Sequence, residues 1–118
     1  FEGPITATAV ARVNRNREEE FMQLMAKKDL FGKAKNADGN VEFKLIKSVS
    51  QPRDFLLIST WKTAAQYEAW MDDDSDQARI FASPKVQETL TGGKLRDVSS
   101  FAIPGASCRE GDSVVATT

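Results

Sequence analysis

Phe55-Leu-Leu-Ile-Ser-Thr-Trp61-Lys-Thr63-Ala-Ala-Gln66-Tyr67-Glu-Ala-Trp70 is the stretch whose reading decides the fold. From Phe55 to Lys62 almost every position is apolar or β-branched, the composition of a strand covered on both faces or nearly so. Thr63 followed three residues later by Gln66 is the pattern of a capping box, so a helix opens there. Its apolar stripe is Tyr67, Trp70 and Met71, and it stops in the acidic run Asp72 to Asp74.

Upstream, Gln51-Pro52-Arg53-Asp54 breaks the chain, and before it Val41, Phe43 and Leu45 alternate with Glu42, Lys44 and Ile46. That period of two reads as a strand joined to the next by a hairpin. The turn cluster Asn36-Ala-Asp-Gly39 separates it from a helical segment opening at Asn16 or Arg17, with Asn16 as N-cap and Glu18 and Glu19 in the first turn. Phe21, Leu24, Met25 and Phe31 form its core-facing stripe, and its end is expected between Gly32 and Asn36. At the start of the chain, Ile5, Ala7, Ala9, Ala11 and Val13 alternate with Thr6, Thr8, Val10 and Arg12, which reads as a first strand.

Downstream, Ser75 or Asp76 caps a short helix through Phe81, Ser83-Pro84 opens another through Leu90, and Gly92-Gly93 ends it. Lys94 to Ile103 alternates imperfectly and reads as a last strand, followed by a polar tail over residues 104–118. The order is β-α-β-β-α-(α)-β, the ferredoxin-like split βαβ within the α+β class, with a four-stranded antiparallel sheet and two main helices on one face. Residues 1–103 therefore make one domain. Val10, Leu56 and Ile58 fall on the face away from the helices, so that face should be covered by a homodimer mate or another partner.

Composition narrows the function. With 16 Lys+Arg against 17 Asp+Glu there is no net field to recruit nucleic acid. The longest strongly apolar run, Phe55 to Ile58, is far short of the roughly 20 residues a transmembrane helix needs. The lone Cys108 suits a soluble protein of a reducing compartment, cytoplasm or organelle interior, and the start at Phe1 leaves room for a removed targeting segment. The absence of His removes the commonest general base, metal ligand and proximal haem ligand together, so no metal or cofactor is expected. Asp72, Asp73, Asp74 and Asp76 lack the Gly and distal Glu of a calcium loop and read as a solvated turn.

The Phe55–Trp70 phrase resembles the most recognisable stretch of antibiotic-biosynthesis-monooxygenase (ABM) domains, the dimeric α+β barrels. Ala11-Arg-Val at the end of the first strand, the Glu-Glu-Glu-Phe opening of the first helix and the Ser-Pro element agree in order. The resemblance, over about Ile5 to Ile103, implies a cleft between helices and sheet. It also implies either metal- and flavin-free oxygenation of quinol-like aromatics or, in the Isd-type branch, haem degradation. The latter branch pairs a strand-one Asn and a helix Trp with a haem-ligating His about ten residues further on. Trp70 matches the Trp, Ala9 or a neighbour stands at the Asn, and Ile80 or Phe81 stands where the His belongs.

Trp70, Asn14 and Tyr67 are therefore the candidate catalytic residues, and Trp70, Phe43 and Arg79 the candidate contacts to a small aromatic or apolar substrate. Each has a plainer reading. Tyr67, Trp70 and Met71 suit any core-facing stripe, Trp61 suits a core or interface position, and Asn16 a helix cap. Two functions are expected to compete: a cofactor-independent oxygenase, and a non-catalytic ABM-fold subunit. The latter would dock by its open sheet face and C-terminal tail on a larger, organellar or other, protein complex.

Overall fold

In the computed structural model, which describes residues 3–103, β3 (Asp54–Trp61) and β1 (Ile5–Arg12) form the centre of one antiparallel sheet. β2 (Asn40–Lys47) flanks β3 and β4 (Arg96–Ala102) flanks β1, giving the order β2-β3-β1-β4 of a ferredoxin-like sheet. Between the strands lie α1 (Glu18–Lys27), α2 (Leu30–Lys35), α3 (Ala64–Trp70), α4 (Asp76–Ala82) and α5 (Pro84–Thr89). The expected α+β architecture is present, and the tail from residue 104 on, with Cys108, lies outside the described residues.

Strict alternation makes the sheet two-sided. Ile5, Ala7, Ala9 and Ala11 of β1 and Phe55, Leu57, Ser59 and Trp61 of β3 are buried under the helices. They pack with Phe21, Leu24 and Met25 of α1, Leu30 and Ala34 of α2, Trp70 of α3, Ile80 and Phe81 of α4, and Val86. Leu56, Ile58 and Val10 point the other way and are only half-buried, since no helix lies on that side. Cross-strand pairing extends this open face to Ile46 opposite Leu56 and Phe101 opposite Thr6, both exposed. Arg12 closes one end of it by gripping Asp54 through two bonds of 2.7 and 3.0 Å.

Five local expectations are corrected. Asn16 does not cap α1: it sits at φ 66°, and Arg17 takes the N-cap position without a side-chain bond, while the acids Glu18 to Glu20 supply the favourable charge. The helical stretch is split, because Asp29 turns left-handed at φ 56° and its carboxylate accepts the Gly32 amide at 3.2 Å, starting α2. A side chain at Gly32 would collide with that carboxylate. Leu30 therefore takes the buried place expected for Phe31, which stays 38% exposed. In β2 the register slips between Asn40 and Glu42, which bulges Val41 out of line with Phe43 and Leu45. β4 begins at Arg96 rather than Lys94, and a second slip beside Asp97, itself at φ 53°, accounts for its broken alternation.

The other boundaries follow their chemistry. Thr63 accepts the Gln66 amide at 3.3 Å and Ser75 the Ala78 amide at 3.1 Å, while Pro84 fills the first turn of α5. Gly39 has φ 83°, and any side chain there would run into Gln66, so the turn into β2 requires glycine twice over.

Removing a fully buried aromatic ring should dominate stability. Phe21→Ala is expected to lower the urea-unfolding free energy by about 3–5 kcal/mol, whereas Val49→Ser, at a residue 97% exposed, should stay within about 0.5 kcal/mol. The Arg12 guanidinium holds the Asp54 carboxyl below its ordinary value, so this pair contributes stability above the normal carboxylate range and loses it as pH falls through the depressed value. Urea midpoints measured from pH 6 down to pH 3 should therefore show the gap between wild type and Asp54→Asn narrowing with acid.

Candidate functional site

α3 returns across the sheet immediately after β3, and this brings five aromatic rings into one chain of contacts. Phe31 meets Phe43 edge-on at 5.9 Å, Phe43 meets Trp70 edge-on at 6.0 Å, Trp70 meets Trp61 at 5.6 Å, and Trp61 meets Tyr67 at 6.4 Å. Beneath them the central strand β1 offers only small side chains, Ala7 and Ala9. Alanines are unusual in a central strand, where β-branched residues pack best. Here they leave space between sheet and helices.

The space that remains is a void of about 10 Å³ bounded by Ala7, Ala9, Phe43, Tyr67, Trp70, Gln77 and their neighbours. It has room for one water-sized sphere. Trp70 also walls a second, outward-facing hollow of about 390 Å³ with Ala37, Ala65, Ala69 and Gln66, edged by Asp38 and Asp76. The indole thus borders both hollows.

Both indoles are buried and both find acceptors. Trp61 Nε1 donates to Ser59 Oγ at 2.9 Å, two residues back on the same strand face. Trp70 Nε1 donates to Gln77 Oε1 at 2.9 Å. The other end of that amide, Gln77 Nε2, donates to the thioether of Met71 at 3.2 Å. Burial raises the Tyr67 phenol above its ordinary value, so near neutral pH it is a hydrogen-bond donor rather than a base.

Of the residues singled out in the sequence, Trp70, Tyr67 and Phe43 come together at this void. Asn14 does not border it. Its amide ties the end of β1 to the far side of the domain, donating to the Glu88 carbonyl at 2.9 Å and accepting from Thr91 Oγ1 at 2.8 Å. Arg79 faces a different hollow, with Lys27, Lys28 and Lys33. Gln77 was missed. Its signal was present, since Gln77, Ile80 and Phe81 share one helical face and all three are buried.

Ile80 and Phe81, the positions where the haem-degrading branch carries its ligand, are buried in the core at 5% and 8% exposure. With no imidazole in the chain and a void of about 10 Å³ beside Trp70, these residues do not fit haem. Among the described residues no group of three or more acidic or thiol side chains is placed to hold a metal ion. Asp72 is instead engaged in its own turn, accepting the Asp74 amide at 3.1 Å. No helix among the described residues is long and apolar enough to cross a membrane.

Comparison with known proteins bears on the fold. A conserved protein from Methanosarcina mazei Go1 superposes with a TM-score of 0.68 at 19% identity, over 86% of this chain and 93% of that one. A candidate antibiotic biosynthesis monooxygenase from Caulobacter crescentus CB15 gives 0.69 at 17% identity, over 87% and 92%. The haem-degrading protein Rv3592 of Mycobacterium tuberculosis, in a haem-free form, gives 0.57 at 14% identity, over 85% and 93%. At these identities the likeness is one of fold. No match was found among curated proteins. The family model described as antibiotic biosynthesis monooxygenase matches residues 4–79, from the start of β1 into α4 and including the whole Phe55–Trp70 stretch, so the chain belongs to the antibiotic biosynthesis monooxygenase family.

Proposed function

We propose that the domain binds a small aromatic molecule between its sheet and helices, with Trp70 and Phe43 as the flat walls and Tyr67 as a polar contact, and oxygenates it without a cofactor. The observation that carries this reading is the pairing of an aromatic roof with an alanine floor at Ala7 and Ala9. Rings stack on such walls, and small floor residues let a planar ligand lie flat. A ligand of ring size needs more room than the roof now leaves, and Trp70, which borders the outer hollow as well, is the wall best placed to give it.

In this reading the substrate supplies the electrons. An anthrone or quinol, whose anion is delocalised over its own rings, gives its acidic proton to solvent water as it enters and passes one electron to oxygen, which becomes superoxide. The substrate radical and superoxide combine at carbon as a peroxide anion, which takes a proton back from water to give the hydroperoxide, and loss of water leaves a new carbonyl. The protein contributes orientation, exclusion of water and the Tyr67 hydroxyl as a donor to the developing oxyanion. Asn14 acts in this scheme by anchoring β1 to the α5 end, away from the substrate. The open face, with Val10, Leu56, Ile58, Ile46 and Phe101, serves for pairing with a second copy.

One observation favours the alternative, a non-catalytic subunit that docks by the same face on a larger assembly: the void as it stands is smaller than any aromatic ring. Oxygen uptake with an anthrone and quinol panel separates the two. Uptake is expected, reduced roughly 10–100-fold in Trp70→Phe through loss of orientation. Asn14→Ala should keep the rate while losing about 1 kcal/mol of stability. No uptake with any member of the panel would leave the docking reading in its place. Light scattering on the purified chain is expected to give twice the 13.0 kDa chain mass; a monomer would overturn self-pairing.

A further inference from the structure

The bond between Gln77 and Met71 is chemically lopsided. Gln77 is a buried carboxamide, 7% exposed, whose oxygen holds the Trp70 indole while the one partner seen for its two Nε2 protons among the described residues is a thioether sulfur 3.2 Å away. A thioether is a weak acceptor, and a buried amide N–H is costly to leave poorly paired. Gln77 borders the void under the aromatic roof, as does Met71. Any molecule that brings a carbonyl or phenolic oxygen there offers a stronger acceptor than sulfur. Met71 can yield, being unbranched, half-buried and at the C-terminal end of α3.

A second wall residue points the same way. Ser59, also bordering the void, uses its oxygen to accept the Trp61 indole proton, and no acceptor for its own hydroxyl proton is seen among the described residues. The void thus carries two donors that lack a strong acceptor among the described residues, Gln77 Nε2 and the Ser59 hydroxyl. Hydrogen bonds of this kind discriminate strongly, because a ligand lacking the partner leaves the buried donor poorly paired.

We propose that Gln77 is the specificity-determining residue of the cleft: its Nε2 selects ligands by an acceptor oxygen on the ring system, with the Met71 sulfur as placeholder in the empty protein. This rests on the cleft-binding reading above. It adds a residue and a polarity to that reading, since carbonyl- or hydroxyl-bearing aromatics are taken in preference to their purely apolar counterparts.

The test uses a matched pair of probes, 1-tetralone, which carries the carbonyl, and tetralin, which lacks it. Binding of each is followed in the full chain by the two indole N–H resonances of 15N-labelled protein, there being two Trp residues in the sequence. Gln77→Met, close in volume and without a donor, is expected to lower the tetralone-to-tetralin affinity ratio by about fivefold, the worth of one hydrogen bond. Met71→Leu, which removes the competing sulfur, is expected to raise it. A role for Gln77 confined to holding Trp70 would change both affinities together and leave the ratio fixed. If both probes bind and the ratio moves in neither variant, the assignment of Gln77 is overturned while the cleft reading stands. If neither probe binds the wild type, the cleft reading falls and takes this one with it.

Discussion

The indoles of Trp61 and Trp70 lie 5.6 Å apart, tilted by 35°, at the point where β3 ends and α3 has crossed back over the sheet. Much of the interior is arranged around that contact. Two large rings stacked over a strand demand small residues below, and β1 supplies Ala7 and Ala9. Each ring also brings a nitrogen that water no longer reaches, so each requires a polar neighbour in the core. Ser59 and Gln77 meet those demands and are two of the few polar residues buried among the described residues. The polarity of the void is therefore a by-product of packing tryptophan, and any recognition chemistry there is built on groups that first had to satisfy an indole.

Much of this was legible in the sequence. The strand from Phe55, the Thr63 cap and the Trp70 stripe could be read because each depends on neighbours within one or two turns of chain. The element order led to the sheet topology because a β-α-β-β-α-β sequence of elements matches a known supersecondary pattern. The left-handed Asp29, by contrast, looks like an ordinary helix residue until its carboxylate is seen on the Gly32 amide. The bulges at Val41 and Asp97 arise from how each strand pairs with its neighbour, the next strand for β2 and the distant β1 for β4, which no pattern within one strand records.

The candidate site divides in the same way. Trp70, Tyr67 and Phe43 converge because two of them sit on one helical stripe and the third on the strand facing it. Asn14 and Arg79 were chosen by residue type, and long-range geometry carried them elsewhere, one to the α5 end and one among lysines. Gln77 escaped because a glutamine on an apolar stripe reads as an interruption. Its partner, seven residues back across a turn, turns that interruption into a requirement.

The two slips in register have a consequence for how the molecule meets its own kind. Both outer strands of the sheet carry one, β2 at Val41 and β4 at Asp97, so neither border presents an evenly spaced row of amides and carbonyls. A newly arriving strand would fall out of step within a few residues on either side. Growth of the sheet sideways into a fibre is thereby blunted at both margins. The half-buried Val10, Leu56 and Ile58 lie away from both margins, at the middle of the open face, where no such row of backbone groups is on offer.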